Sequence, residues 1–159
     1  MLSPGSRKAR TDVYQYVLIL HLVGATVWTG GHLVLALCIL PGALRRRSVS
    51  MLLDFESRFE WLGMTALAVQ VATGLWLASL RIQNAAALLS PGSSDEWLVA
   101  AKLLLLLATL ALAASARLRV IPRLSPERLP VLAWHIAGVT VISVLFVIAG
   151  VGLRTGGFW

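Results

Sequence analysis

VYQYVLILHLVGATVWTGGHLVLALCIL, residues Val13–Leu40, contains no Asp, Glu, Lys or Arg. About 20 apolar residues carry an α-helix across roughly 30 Å of hydrocarbon, so this stretch is long enough to span. Three further runs share its character: Trp61–Leu80, Trp97–Ala116 and Leu129–Leu153. Inside the four runs the only charged side chain is Lys102. Hydrocarbon cannot hydrogen-bond a backbone, and a helix satisfies its own. The expectation is an all-α integral membrane four-helix up-down bundle, one transmembrane domain over residues 1–159. Its helices fall at approximately 13–40, 61–80, 97–116 and 129–153.

Composition agrees. Of 159 residues 58% are apolar, 13% are charged, and the mean hydropathy is +0.82. A soluble domain could not hide that much apolar surface behind so few charges. The net charge of +7 raises the question of nucleic acid. The basic residues, however, lie between apolar runs, where loops meet lipid headgroups. The expected partner is the bilayer and no nucleic acid. The single Cys38 excludes an intrachain disulfide, and Cys-rich metal motifs are absent. No nucleotide-binding motif is present, which argues against ATP-driven pumping by this chain alone. Arg7, Lys8 and Arg10 precede the first run as in a signal peptide. That run far exceeds the roughly 7–15 residues of a signal core, and a retained helix is expected.

The connections are short. Pro41-Gly42 is expected to end the first helix, and SVSMLLDFESR (Ser48–Arg58) to form a short interfacial helix before the second. Ser90–Ser94 reads as a plain loop, and Ser125 as an N-cap candidate for the approach to the fourth helix. No internal repeat is evident. Tyr14, Tyr16, Trp61, Trp76, Trp97, Trp134 and Trp159 sit near run ends, as an aromatic belt would.

Ionisable groups inside a bilayer are costly and are functional candidates by default. Counted from the run ends at 1.5 Å per residue, His32 lies about 12 Å deep and His135 about 9 Å, on the same side. Glu60 opens the second run on that side and Met64 is one turn deeper. His32, His135, Met64 and Glu60 therefore form one expected layer. Imidazole suits copper, zinc and haem iron, and a thioether favours Cu(I), so this layer is the candidate metal site. His21 and Lys102 form a second layer towards the opposite face. His21, Trp28 and His32 share one helix face by spacing. The plainer roles are also physical. A membrane histidine can simply bond a nearby carbonyl or hydroxyl. Trp28, Trp61 and Trp97 can be packing or interface anchors, Met64 core packing, and Lys102 a snorkelling cation. Arg45-Arg46-Arg47 reads as a topology signal.

HLVGATVWTGGHLVLALCILP (His21–Pro41) resembles the first helix of the CopD/PcoD copper-resistance membrane proteins. FESRFEWLGMTALAVQVATGLWLA (Phe55–Ala78), KLLLLLATLALAASARLRVIPRL (Lys102–Leu124) and HIAGVTVISVLFVIAGVGLRTGG (His135–Gly157) continue the resemblance. It implies an inner-membrane, copper-handling protein, a transporter or loading factor, with a periplasmic copper-binding partner. The Met-rich extramembrane segments of larger members are missing. His21, Trp28 and Lys102 also resemble a pattern of HemJ-type protoporphyrinogen oxidases. That likeness implies an alternative haem b site and a haem-dependent oxidoreductase. A structural membrane subunit is the third reading, and a homo-oligomer is compatible with any of them.

Orientation follows from the basic residues. The first and third loops carry Arg45, Arg46, Arg47, Arg58, Arg117, Arg119, Arg123 and Arg128, against Arg7, Lys8, Arg10, Arg81 and Arg154 opposite. The excess places those loops in the cytoplasm and both termini in the periplasm. A topology reporter fused after Trp159 should therefore score as periplasmic. A cytoplasmic score would reverse the orientation.

Overall fold

The computed structural model describes residues 4–82 and 85–157, with the backbone path alone for 4–9, 85 and 87. Trp159 and the side chains of Arg7 and Lys8 lie outside this description. Helix α1 covers Pro4–Val34, and a π-turn at Leu35–Ile39 joins it to α2, Leu40–Arg46. Helix α3 runs Val49–Ser79 and α4 Ser94–Ser115. A second π-turn, Ala116–Val120, and a 3₁₀ turn, Ile121–Arg123, follow α4. Helix α5 is Leu129–Thr155. Four units, residues 10–46, 49–79, 94–123 and 129–155, are long and apolar enough to cross a membrane. The all-α, four-span architecture expected from hydropathy is what the chain forms.

The helix ends depart from expectation for identifiable reasons. Pro41 does not stop the first span. A proline lacks an N–H and crowds the carbonyl four residues back. Here the π-turn absorbs the conflict: the Leu40 N–H bonds Leu35 O, five residues back, and Pro41 falls in the first turn of α2. Pro122 follows the second π-turn in the same way, after the Ile121 N–H bonds Ala116 O. The first span ends instead at Arg47, in the left-handed region at φ 50°, where the Ser48 N–H returns to Ala43 O at 2.9 Å. The Ser48–Arg58 segment is helical but continuous with α3, not a separate interfacial helix. The loop before α4 carries a capping box that the sequence reading passed over. Ser93 Oγ accepts the Glu96 N–H at 3.3 Å, and Glu96 accepts the Ser93 N–H at 3.2 Å. Ser125 does not cap α5. It closes a turn with Arg128 at 3.0 Å, and Arg128 takes the N-cap position without a side-chain bond.

α1 packs on α3, α4 on α5, and α1 also on α5. The apolar core gathers at the end of the first and third loops, where Leu40, Ala43, Leu52, Val120, Leu129, Leu132 and Ile136 interlock. The outer surface is apolar, as lipid demands. Tyr16, Trp61, Trp97 and Trp134 point outward, Trp61 at 83% exposure. Close approach of α1 and α3 depends on Gly24. A Cβ there would meet Gln70 Cγ at 3.0 Å and the Ala66 carbonyl oxygen at 3.2 Å, whereas a Cβ on Gly30 meets nothing. Gly24→Leu should therefore cost about 1–3 kcal/mol of stability. Gly30→Leu should leave the detergent-solubilised Tm close to that of the parent. Equal losses in the two variants would overturn this account of the α1–α3 contact.

Candidate functional site

In the half of the bundle away from that core, α1, α3, α4 and α5 leave a chamber of about 330 Å³. This is at the small end of ligand pockets, roughly 300–1,000 Å³. Its wall is mostly aliphatic, with His21, Gln70 and Lys102 inside and Tyr14, Arg81 and Arg154 towards the mouth. Trp28 and Thr109 also line it, only 8% and 1% exposed. His21, Trp28 and Lys102, placed by spacing on faces of two different helices, are thus brought to one cavity.

His21 is fixed from α3. Its Nδ1 lies 2.9 Å from Thr73 Oγ1, and Gln70 donates to the His21 carbonyl at 3.1 Å. The Thr73 hydroxyl gives its own hydrogen to Val69 O at 2.5 Å, so the His21 Nδ1–H is the donor to Thr73. In the neutral ring the lone pair is then on Nε2. Gly74 makes room, since a Cβ there would stand 3.1 Å from His21 Cε1. Across the chamber Lys102 Nζ lies over Gly150, 3.6 Å from where a Cβ would be. Among the described residues no carboxylate forms an ion pair with that ammonium. At the mouth Arg81 donates to Asp95 at 2.7 Å and to Leu153 O at 2.9 Å, while Arg154 reaches the Tyr14 hydroxyl at 3.5 Å. Burial pulls the Arg81 guanidinium down, but hydrogen bonds with Asp95 and Tyr14 outweigh it and hold the pKa above the ordinary value.

The residues expected in the other layer are held in separate contacts. His32 lies on the far side of Trp28 from His21, ring centroids 4.4 Å apart, with Phe59 edge-on at 6.5 Å. Its Nδ1 meets Trp28 O at 2.9 Å. His135 Nδ1 meets Val131 O at 2.8 Å, and its Nε2 lies 3.1 Å from Ser115 Oγ. The Thr140 hydroxyl bonds His32 O at 3.3 Å, which puts His32 level with Thr140. His135 is five residues earlier in α5, about 7.5 Å nearer the loops. Glu60 is paired with Arg117, which also holds Glu56 at 2.8 Å, and Met64 faces outward at 57% exposure. Among the described residues no group of three or more His, Cys, Asp or Glu is placed to hold a metal ion. His32, His135, Met64 and Glu60 are therefore not assembled into one shell in this structure. Two of the run ends used to count their depths were not helix ends: the first π-turn carries the first span on to Arg46, and α3 begins at Val49, ahead of Trp61, whereas α5 does start at Leu129.

Sequence alone gives Tyr14 a place in the aromatic belt and no site role to Thr73, Ser115 or Arg81. Thr73 could have been found, since a hydroxyl inside a span seeks a partner. Arg81 was counted only as a topology charge.

The family model described as Copper resistance protein D, CopD, matches residues 53–153. The chain belongs to the CopD family. The match covers α3, α4 and α5, with Glu60, Met64, Lys102 and His135 inside it and α1 outside. No curated protein and no solved structure matches this chain significantly. This CopD protein is a multi-pass membrane protein related to copper resistance.

Its histidines offer a direct check. A carbonyl only accepts, so His32 and His135, like His21, carry the proton on Nδ1 in the neutral ring. Nitrogen-15 NMR of histidine-labelled protein should find a protonated Nδ1 and a lone-pair Nε2 at His32. The opposite tautomer would refute the assignment.

Proposed function

We propose that the chain handles copper inside the membrane, as a transporter or a loading factor, with the metal as cargo. One observation carries this reading beside the family match. His21 and His32 share a face of α1, and each has Nδ1–H tied to a neighbour with Nε2 left as the lone-pair nitrogen. Imidazoles that bind metals are held in this way, the far nitrogen fixing the ring and the near one free to ligate. A lone imidazole is a weak site, which suits passage more than storage. His32 is the station best prepared for Cu(I), and His135 follows once Ser115 releases its Nε2. Glu60 joins only on leaving Arg117, and Met64 only from the lipid-facing surface, as in a homo-oligomer. The setting is an inner membrane with both termini periplasmic, and a periplasmic copper-binding protein is the exchange partner.

A haem b at His21 is the second reading, favoured by the chamber that His21 shares with Lys102. The visible spectrum and the Cu(I) affinity of the detergent-purified protein separate the two. His32→Ala should weaken Cu(I) binding by about tenfold or more, and His135→Ala less, because its Nε2 is already engaged. Unchanged affinity in His32→Ala would overturn the copper reading at this residue. A Soret band abolished by His21→Ala would move the function to haem chemistry.

A further inference from the structure

The sequence has no evident repeat, yet the chamber is built from two matching hairpins. Positions 18, 21, 22, 25 and 28 of α1 line it, and so do positions 99, 102, 103, 106 and 109 of α4, each 81 residues on. Positions 70, 71, 74, 75, 77 and 78 of α3 are matched by 146, 147, 150, 151, 153 and 154 of α5, each 76 residues on. The π-turns at Leu35–Ile39 and Ala116–Val120 keep the first interval, as do the prolines Pro41 and Pro122 behind them. Packing repeats as well: His21 lies over Gly74, and Lys102 over Gly150. Parallel repeats related by an axis along the membrane normal have this form, and their ligands bind where the repeats face each other.

His21 and Lys102 are thus equivalent positions, and what differs is their partners. The imidazole is anchored by Thr73 and its backbone by Gln70; the corresponding residues beside Lys102 are Ala149 and Phe146, which offer no side-chain hydrogen bond. The second hairpin leaves its ammonium facing the chamber. Arg81 and Arg154 add cations at the mouth, and among the described residues no Asp or Glu lines the wall. Asp95 and Leu153 O engage Arg81, and Arg154 reaches only the neutral Tyr14 hydroxyl, so Lys102, inside the chamber, and Arg154, at its mouth, carry charge without a carboxylate partner among the described residues. An uncompensated cation inside a membrane calls for an anion.

We propose that this chamber binds a lipid-soluble acid. Its carboxylate or phosphate pairs with Lys102, with Arg81 and Arg154 beyond, and its apolar body lies among the leucines and Phe146. The site does not rest on the copper reading, since the unpaired charges of Lys102 and Arg154 repel a bare metal ion, and His32 is outside the chamber wall.

The test uses the full-length protein in a neutral detergent, titrated with the fluorescent fatty acid cis-parinarate and with its methyl ester. The acid should bind the parent, and the ester at least tenfold more weakly. Lys102→Met should raise the Kd for the acid by tenfold or more, Lys102→Arg should restore it, and Arg123→Ala, an exposed third-loop cation, should leave it unchanged. Displacement by oleate alone identifies a free acid, and displacement by phosphatidylglycerol but not phosphatidylcholine identifies an acidic lipid. Equal binding of acid and ester by the parent overturns the proposal whatever the variants do. So does unchanged affinity in a folded Lys102→Met protein.

Discussion

Hydrocarbon offers no hydrogen bonds, and each polar group that enters it must bring a partner or find one in a neighbouring helix. Most side chains here use the carbonyl one turn back. Thr26, Thr73, Thr109 and Thr140 bond the residue four positions earlier, and His32 and His135 do the same through Nδ1. That local habit holds an imidazole still without committing a second helix. It also fixes which nitrogen is protonated, and so which one is left for chemistry. Contacts between helices then include Thr73 and Gln70 on His21, Thr140 on the His32 carbonyl, Thr29 on the Ser143 carbonyl and Ser115 on His135.

Apolar packing divides the molecule into a closed half and an open half. Near the first and third loops the core cluster fills the space, and both π-turns lie there, widening the helix where a proline follows. The surface ion pairs of Arg117 with Glu56 and Glu60 tie α3 to the end of the third span at that level. Towards the termini, glycines replace bulk at Gly74 and Gly150, and side chains with polar tips occupy the room they leave. A histidine and a lysine in such places give the chamber a donor atom on one side and a charge on the other.

Membership of the CopD family ties the chain to copper resistance, while the geometry separates two kinds of site. The face of α1 carries two imidazoles, His21 and His32, with Trp28 between them. The chamber above Trp28 is cationic and suits an anion. In the proposed copper reading, single imidazoles at different depths suit passage of the metal more than storage.

The four spans were legible in the sequence because hydropathy and length alone decide whether a segment can cross a bilayer, and both are properties of a linear chain. The shared face of His21, Trp28 and His32 was legible for a similar reason, since helical periodicity is local. The end of the first span was not, because Pro41 stops an α-helix but not one that has just taken a π-turn, and the turn leaves no mark in composition. The common layer of His32, His135, Met64 and Glu60 rested on depths counted from run ends. In the structure Arg117 takes Glu60, Met64 turns outward, and Thr140 sets His32 about 7.5 Å from the level of His135. The matching of the two hairpins was hidden because leucine, alanine and valine substitute freely on lipid-facing and cavity-facing surfaces, so packing positions persist while identities drift. What the sequence determined is that the chain is helical and lives in a membrane, since those follow from transfer energies along the chain. Tertiary structure alone decided that His21 and Lys102 face one chamber while His32 and His135 stand apart, because a side chain's neighbours depend on helix rotation and close approach between segments far apart in the chain.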